Sequence, residues 1–225
     1  FRGYEGEMIA SKVTNGKRLL YDVTKPYLEP VDYFNEYRPT KEITIPKAYI
    51  LKQGWHRVVE RLKNNQIFYT QFKKDTTLVV ETLHVDDYKT RTSAYEGHYL
   101  HYNTSVKIDS NAVHFSKGDL YIPVHQKGAR YIMETLEPEA TDSFFNWNFF
   151  DSVLQQKEGY SGYVFEDVAE QILKENTTIK DAFEAKMVTD KDFEKNPRAQ
   201  LNFIYKRSLH YEKAHLLLPI YKAYE

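Results

Sequence analysis

The residues able to do chemistry are few and poorly spaced for it. The chain has eight histidines and no cysteine, which excludes thiolate metal sites, disulfides and Cys nucleophiles. A hydrolytic zinc site built on His-x-x-Glu needs two ligands from one turn, a distant histidine and an open position for water. No histidine has a glutamate three residues on, and the nearest pattern, His84-x-x-Asp87, runs into a polar turn. In Glu96-Gly97-His98-Tyr99-Leu100-His101, strand alternation puts Glu96 and His98 on one face and His101 on the other. His210 and His215 lie about 140° apart on a helix and on opposite faces of a strand, so only an irregular loop could bring them and Glu212 to one metal. No Gly-x-Ser-x-Gly elbow and no glycine-rich phosphate loop is present. No metal or cofactor site is therefore expected in this chain.

Ligand contacts are expected instead where a strand end meets a helix start. Gln126 and Arg130 stand at such a junction, a usual place for ligands in α/β sheets. Glu96, His98 and Trp147 come next. A structural use competes with each: Gln126 capping backbone groups, and Arg130 pairing with a carboxylate such as Glu137.

The elements that must position these side chains give a mixed α/β (α+β) chain. Trp55, Val58, Val59 and Leu62 recur at helical spacing between the apolar run Ala48–Leu51 and a strand expected over Ile67–Phe72. That order predicts a βαβ unit with parallel strands in a mixed sheet. Strands are expected over Thr76–His84, His98–Ile108, Ala112–Ser116 and Leu120–Val124, an antiparallel section with turns at 109–111 and 117–118. After Val124 the pattern turns helical through the C-terminal third. Ala129, Ile132, Met133 and Leu136 form one stripe, ended by Pro138, and Phe144, Phe145, Phe149, Val153 and Leu154 predict another helix. Trp55, Leu136, Phe144, Phe145 and Phe149 are expected in the core. Residues 1–46, with prolines at 26, 30, 39 and 46, read as an extended Tyr-rich arm, and 47–225 as the folded domain.

Composition narrows the partners. With 31 basic and 32 acidic residues, the net charge of −1 gives no reason to expect nucleic acid. The longest apolar run, Leu216–Ile220, is far short of the roughly 20 residues of a membrane span. The 19 tyrosines suit half-buried strands and equally suit peptide or glycan contacts.

Several blocks carry a family resemblance: YILKQGWHRVVERLK, YEGHYL, KGDLYIPVHQKGARYIMETLEPEATDSFFNWNFFDSVLQQKEGYSGYVFED and RAQLNFIYKR. Together they resemble the non-catalytic C-terminal region of large bacterial zinc carboxypeptidase-like proteins, the carboxypeptidase A-type metallopeptidases. The opening FRGYEG and YDVTKPY resemble the segment that joins the catalytic domain to this region. The resemblance implies a parent that hydrolyses C-terminal peptide bonds with zinc and is exported to the periplasm or cell surface. The family's zinc ligands, carboxylate-binding arginine and general-base glutamate match no position here and would lie upstream of Phe1. What it implies for this chain is an accessory domain without catalytic residues, whose partner is the parent's own catalytic domain.

Overall fold

The computed structural model of the chain describes residues 1–39 and 41–224. Thr40, in the expected arm, and Glu225, in the expected domain, lie outside them. The fold is α+β, and the chain divides into two units, Phe1–Thr44 and Ile45–Glu225.

In the first unit, β1 (Arg2–Ala10) pairs antiparallel with β2 (Lys17–Leu28) in a sheet of two strands. Met8 faces Leu19 and Gly6 faces Tyr21 across the pair, so alternation gathers Met8, Leu19 and Tyr21 on one face. The opposite face carries Glu5 against Asp22 and Glu7 against Leu20. The expected arm is thus largely a hairpin. Described residues 29–39 and 41–46 have no regular structure.

The second unit is built on a six-stranded sheet. Its elements are β3 (Ala48–Leu51), α1 (His56–Asn64), β4 (Thr70–Gln71), β5 (Thr76–Thr90), β6 (His101–Phe115), β7 (Leu120–Pro123) and α2 (Ala129–Leu136). A 3₁₀ turn (Asp151–Leu154) follows, then α3 (Gly162–Glu175), α4 (Thr177–Thr189), α5 (Lys191–Glu194), α6 (Pro197–Tyr205) and β8 (Leu217–Ala223). The strand order is β4-β7-β3-β8-β5-β6, and every recorded pairing is antiparallel.

This corrects the expected βαβ unit. β3 and β4 flank α1 and run the same way, but β7 lies between them and pairs antiparallel with both. The expected strand over 67–72 shrinks to Thr70–Gln71. No turn interrupts 109–111, because Asp109, Ser110 and Asn111 pair with Thr82, Glu81 and Val80 inside one long hairpin. The helix expected from Phe144 to Leu154 is a run of turns and the 3₁₀ turn. The helical C-terminal third ends in a strand, β8, inserted between β3 and β5.

Alternation along the strands separates two clusters. Tyr49, Leu51, Leu83, Ile122, Leu218 and Ile220 face α1, α2 and the Phe-rich turns, where Phe144, Phe145 and Phe150 are buried. Ile50, Val80, Phe115 and Tyr221 form a smaller cluster. Of the expected core residues, Leu136, Phe144 and Phe145 are buried, while Trp55 and Phe149 are half-buried at its margin. A third cluster, Phe165, Ala169, Ile204 and Tyr205, holds α3 and α6 together.

Across the middle of the sheet, Glu81, Lys222 and Tyr49 stand side by side on β5, β8 and β3. Pro138 stops α2 and leaves Glu137 at its C-cap. The Tyr49 hydroxyl donates to Glu137 Oε1, and Lys222 Nζ donates to Glu137 Oε2 at 2.9 Å. All three are buried. Burial and the neighbouring Glu137 carboxylate raise the Tyr49 phenol well above its ordinary range. Tyr224, hydrogen-bonded to Glu81, is pushed up to about 12, first by burial and then by that bond.

Candidate functional site

The turn after β5 brings three of the expected contact residues to one place. Tyr95 and His98 exchange both backbone hydrogen bonds at 2.9 Å, closing a two-residue hairpin turn. Its central residues, Glu96 and Gly97, have φ of +48° and +80°, the double positive φ such a turn demands. Glycine takes that conformation freely, whereas Glu96 bears a steric cost of about 1–2 kcal/mol.

Trp147 reaches the same turn from the 138–150 segment, which two buried polar residues wind tightly. The Ser143 hydroxyl donates to Pro138 O at 2.9 Å and accepts from Asn146 N at 3.0 Å. Asn146 Nδ2 donates to Ala140 O, and its oxygen accepts from Thr104. Thus presented, Trp147 lies 5.6 Å from His98, edge to face, and 6.3 Å from Tyr95. His98 in turn stacks on Phe149 at 6.2 Å, and the Arg57 guanidinium lies 5.2 Å from the Phe149 ring. The result is a continuous row, Tyr95–Trp147–His98–Phe149–Arg57. Tyr95 is exposed, Trp147 and His98 are half-buried, and the Glu96 carboxylate is exposed beside them. Such a row offers π-faces and edges to an apolar or sugar ring, with a cation at one end and an anion at the turn.

Beneath the row lies His101, buried between Tyr88 and Phe145. Its Nδ1 is 2.9 Å from Thr90 Oγ1 and its Nε2 is 3.1 Å from Asp151 Oδ1. If Nε2 donates to the carboxylate, Nδ1 accepts from the threonine hydroxyl. The sequence of hydroxyl, imidazole and carboxylate ties the end of the β5–β6 hairpin to the 3₁₀ turn. Sequence spacing held no signal for it, since Thr90, His101 and Asp151 belong to three separate elements.

Gln126 and Arg130 stand elsewhere. Gln126 is a backbone splice: Oε1 accepts from Phe68 N at 2.8 Å, and Nε2 donates to Phe68 O at 2.9 Å and Pro123 O at 2.6 Å. Arg130 is exposed and meets Glu134 one turn along α2 at 3.6 Å, not Glu137. The remaining histidine pair does not converge. His215 takes the Tyr211 hydroxyl on Nδ1 and donates from Nε2 to Leu154 O, while the His210 ring meets Phe165. Glu212 accepts from the amides of Lys157 and Glu158 at 2.8 and 3.1 Å. Among the described residues no cluster of three or more His, Asp or Glu could hold a metal ion. No described helix is long and apolar enough to cross a membrane.

Comparison with models of protein families, with curated proteins and with solved structures finds no match in any of the three.

Proposed function

We propose that this chain is a non-catalytic accessory domain of a zinc carboxypeptidase-like protein, and that Phe1–Thr44 docks against that protein's catalytic domain. The observation that carries this reading is the apolar face of the hairpin. Met8, Leu19 and Tyr21 are 54%, 50% and 60% exposed, although an isolated two-stranded hairpin is at best marginally stable in water. Tyr33, Phe34 and Tyr37, in the segment that follows, are also exposed. Covering each such side chain is worth roughly 1.5–3 kcal/mol, so a partner surface would contribute more than the hairpin's own pairing. The parent's zinc, its hydrolysis of C-terminal peptide bonds and its export come from the sequence resemblance. Hydrogen exchange tests the docking. Protection of β1 and β2 should rise when the chain is joined to a carboxypeptidase catalytic domain of the resembled family. Equal exchange with and without that domain refutes it.

A second reading, a peptide- or glycan-binding module, is favoured by the aromatic row at the Tyr95–His98 turn. Titration with oligosaccharides and short peptides should then quench Trp147 fluorescence, and Trp147→Ala should abolish binding. An unchanged spectrum across both ligand sets removes this reading.

A further inference from the structure

The row of rings at the Tyr95–His98 turn is electrically uneven. One end carries the Arg57 guanidinium beside Phe149, and two carboxylates flank the other. Glu96 follows Tyr95 in the turn and is exposed. Asp142, also exposed, accepts the Trp147 indole N–H at 3.3 Å. Among the described residues neither carboxylate has an ion pair. Arg57 pairs with neither, since it stands beyond His98 and Phe149 in the row.

The turn points separately to a use for one of these carboxylates. Glu96 holds φ of +48° at a position where Asn, Asp or Gly would sit at lower cost. Its side chain makes no hydrogen bond or ion pair among the described residues, so no contact within the fold offsets that cost. Strain of this kind gathers where a side chain meets a ligand.

Tyr95, 57% exposed, and the half-buried Trp147 meet at 6.3 Å with their planes tilted by 56°. Aromatic faces beside carboxylates that lack a counter-ion attract a cation. Charge alone would admit a metal ion, but among the described residues no three His, Asp or Glu converge to hold one. The rings favour instead an organic cation whose aliphatic stem can lie along them. A neutral sugar gains from ring faces and hydrogen bonds; only a cation gains from the charge as well.

We propose that the Tyr95–Trp147 end of the row binds a lysine or arginine side chain of a peptide. The stem lies on the two rings, and Glu96 and Asp142 neutralise the charged head. This rests on the binding-module reading and selects basic peptide over glycan within it.

The test is titration of the whole chain with N-acetylated, C-amidated Ala-Lys-Ala, Ala-Arg-Ala and Ala-norleucine-Ala, and with a neutral oligosaccharide. The Trp147 indole N–H resonance reports binding. The lysine and arginine peptides should move it, less so as salt is raised, and the norleucine peptide, alike in stem but uncharged, should not. Asp142→Asn keeps an acceptor for the indole and should weaken the lysine peptide about two- to fivefold, as for an exposed charge pair. Glu96→Asn should weaken it similarly while melting at or above the wild-type temperature, because Asn suits the turn better. Norleucine peptide or oligosaccharide binding as tightly as the lysine peptide overturns the cation assignment and leaves the binding-module reading standing. No response to any of the four at millimolar concentration defeats both. Lysine affinity unchanged in the double variant overturns the roles of the carboxylates. A lower melting temperature in Glu96→Asn would show that the carboxylate already serves the fold, and would also defeat the proposal.

Discussion

β2 and β8 are both rich in leucine and tyrosine, yet their surroundings are opposite. In β8, six of seven residues are buried; in β2, one of twelve is even half-buried. β8 has a strand on each side and a cluster on each face, whereas β2 has β1 alone. Composition therefore does not set burial here; the number of neighbours does. β8 even carries Lys222 into the interior, because Glu137 waits above the sheet to receive it.

The largest test of that contrast is to remove the carboxylate. Glu137→Ala leaves a buried ammonium unpaired and the Tyr49 hydroxyl without its acceptor. It should cost about 3–5 kcal/mol in denaturant unfolding. Glu137→Leu combined with Lys222→Met should recover most of the loss, since an apolar pair suits the same site. A double variant no better than the single one would show that the polar bridge is itself needed.

Next comes the core beneath the aromatic row. Phe145→Ala should cost about 3–5 kcal/mol, and the half-buried Phe149→Ala about half as much. Equal costs would place Phe149 inside the core and remove it from the row.

A smaller effect is confined to acid. Hydrogen bonds donated by the backbone amides of Glu158 and Lys157 hold the Glu212 carboxyl below the ordinary glutamate range. A lowered pKa in the fold means that the ionised group favours folding above the ordinary value, and that this support fades as the pH falls through the depressed one. Glu212→Gln should thus lower the melting temperature at pH 7 and show a shallower fall on acidification. Parallel acid limbs in the two proteins contradict this.

The smallest effect should be in the hairpin. Leu19→Ser and Tyr21→Ser should change the unfolding free energy of the six-stranded unit by less than about 0.5 kcal/mol. A larger drop would mean that the apolar face of β2 is as much in use as β8.

What the sequence made legible follows the same line. α1 and α2 were readable because each buries apolar residues at helical spacing, Val58 with Leu62 and Ile132 with Leu136. β8 was not, since Leu216–Ile220 is only a short apolar run, and such a run does not name its state. The 144–154 segment misleads for a different reason. Its phenylalanines reach the core from turns held by Ser143 and Asn146, so apolar density there is not periodicity. Glu96, His98 and Trp147 could be picked singly as exposed polar and aromatic residues. Their meeting depends on a turn with two positive φ angles and on a loop 50 residues away, which no local pattern encodes.

The position of β8 also sets the order in which the sheet can be assembled. β3 can pair with β7 and β4, and β5 with β6, as soon as those segments exist, giving two separate sheets of three and two strands. Among the described residues no strand pairing joins them until all six helices have been made and β8 arrives to pair with both β3 and β5. Until then the inner edges of β3 and β5 are open to any other strand, and closure across so long a stretch of chain is slow. The seam between the two halves is therefore the part of the molecule that a nascent chain must protect longest.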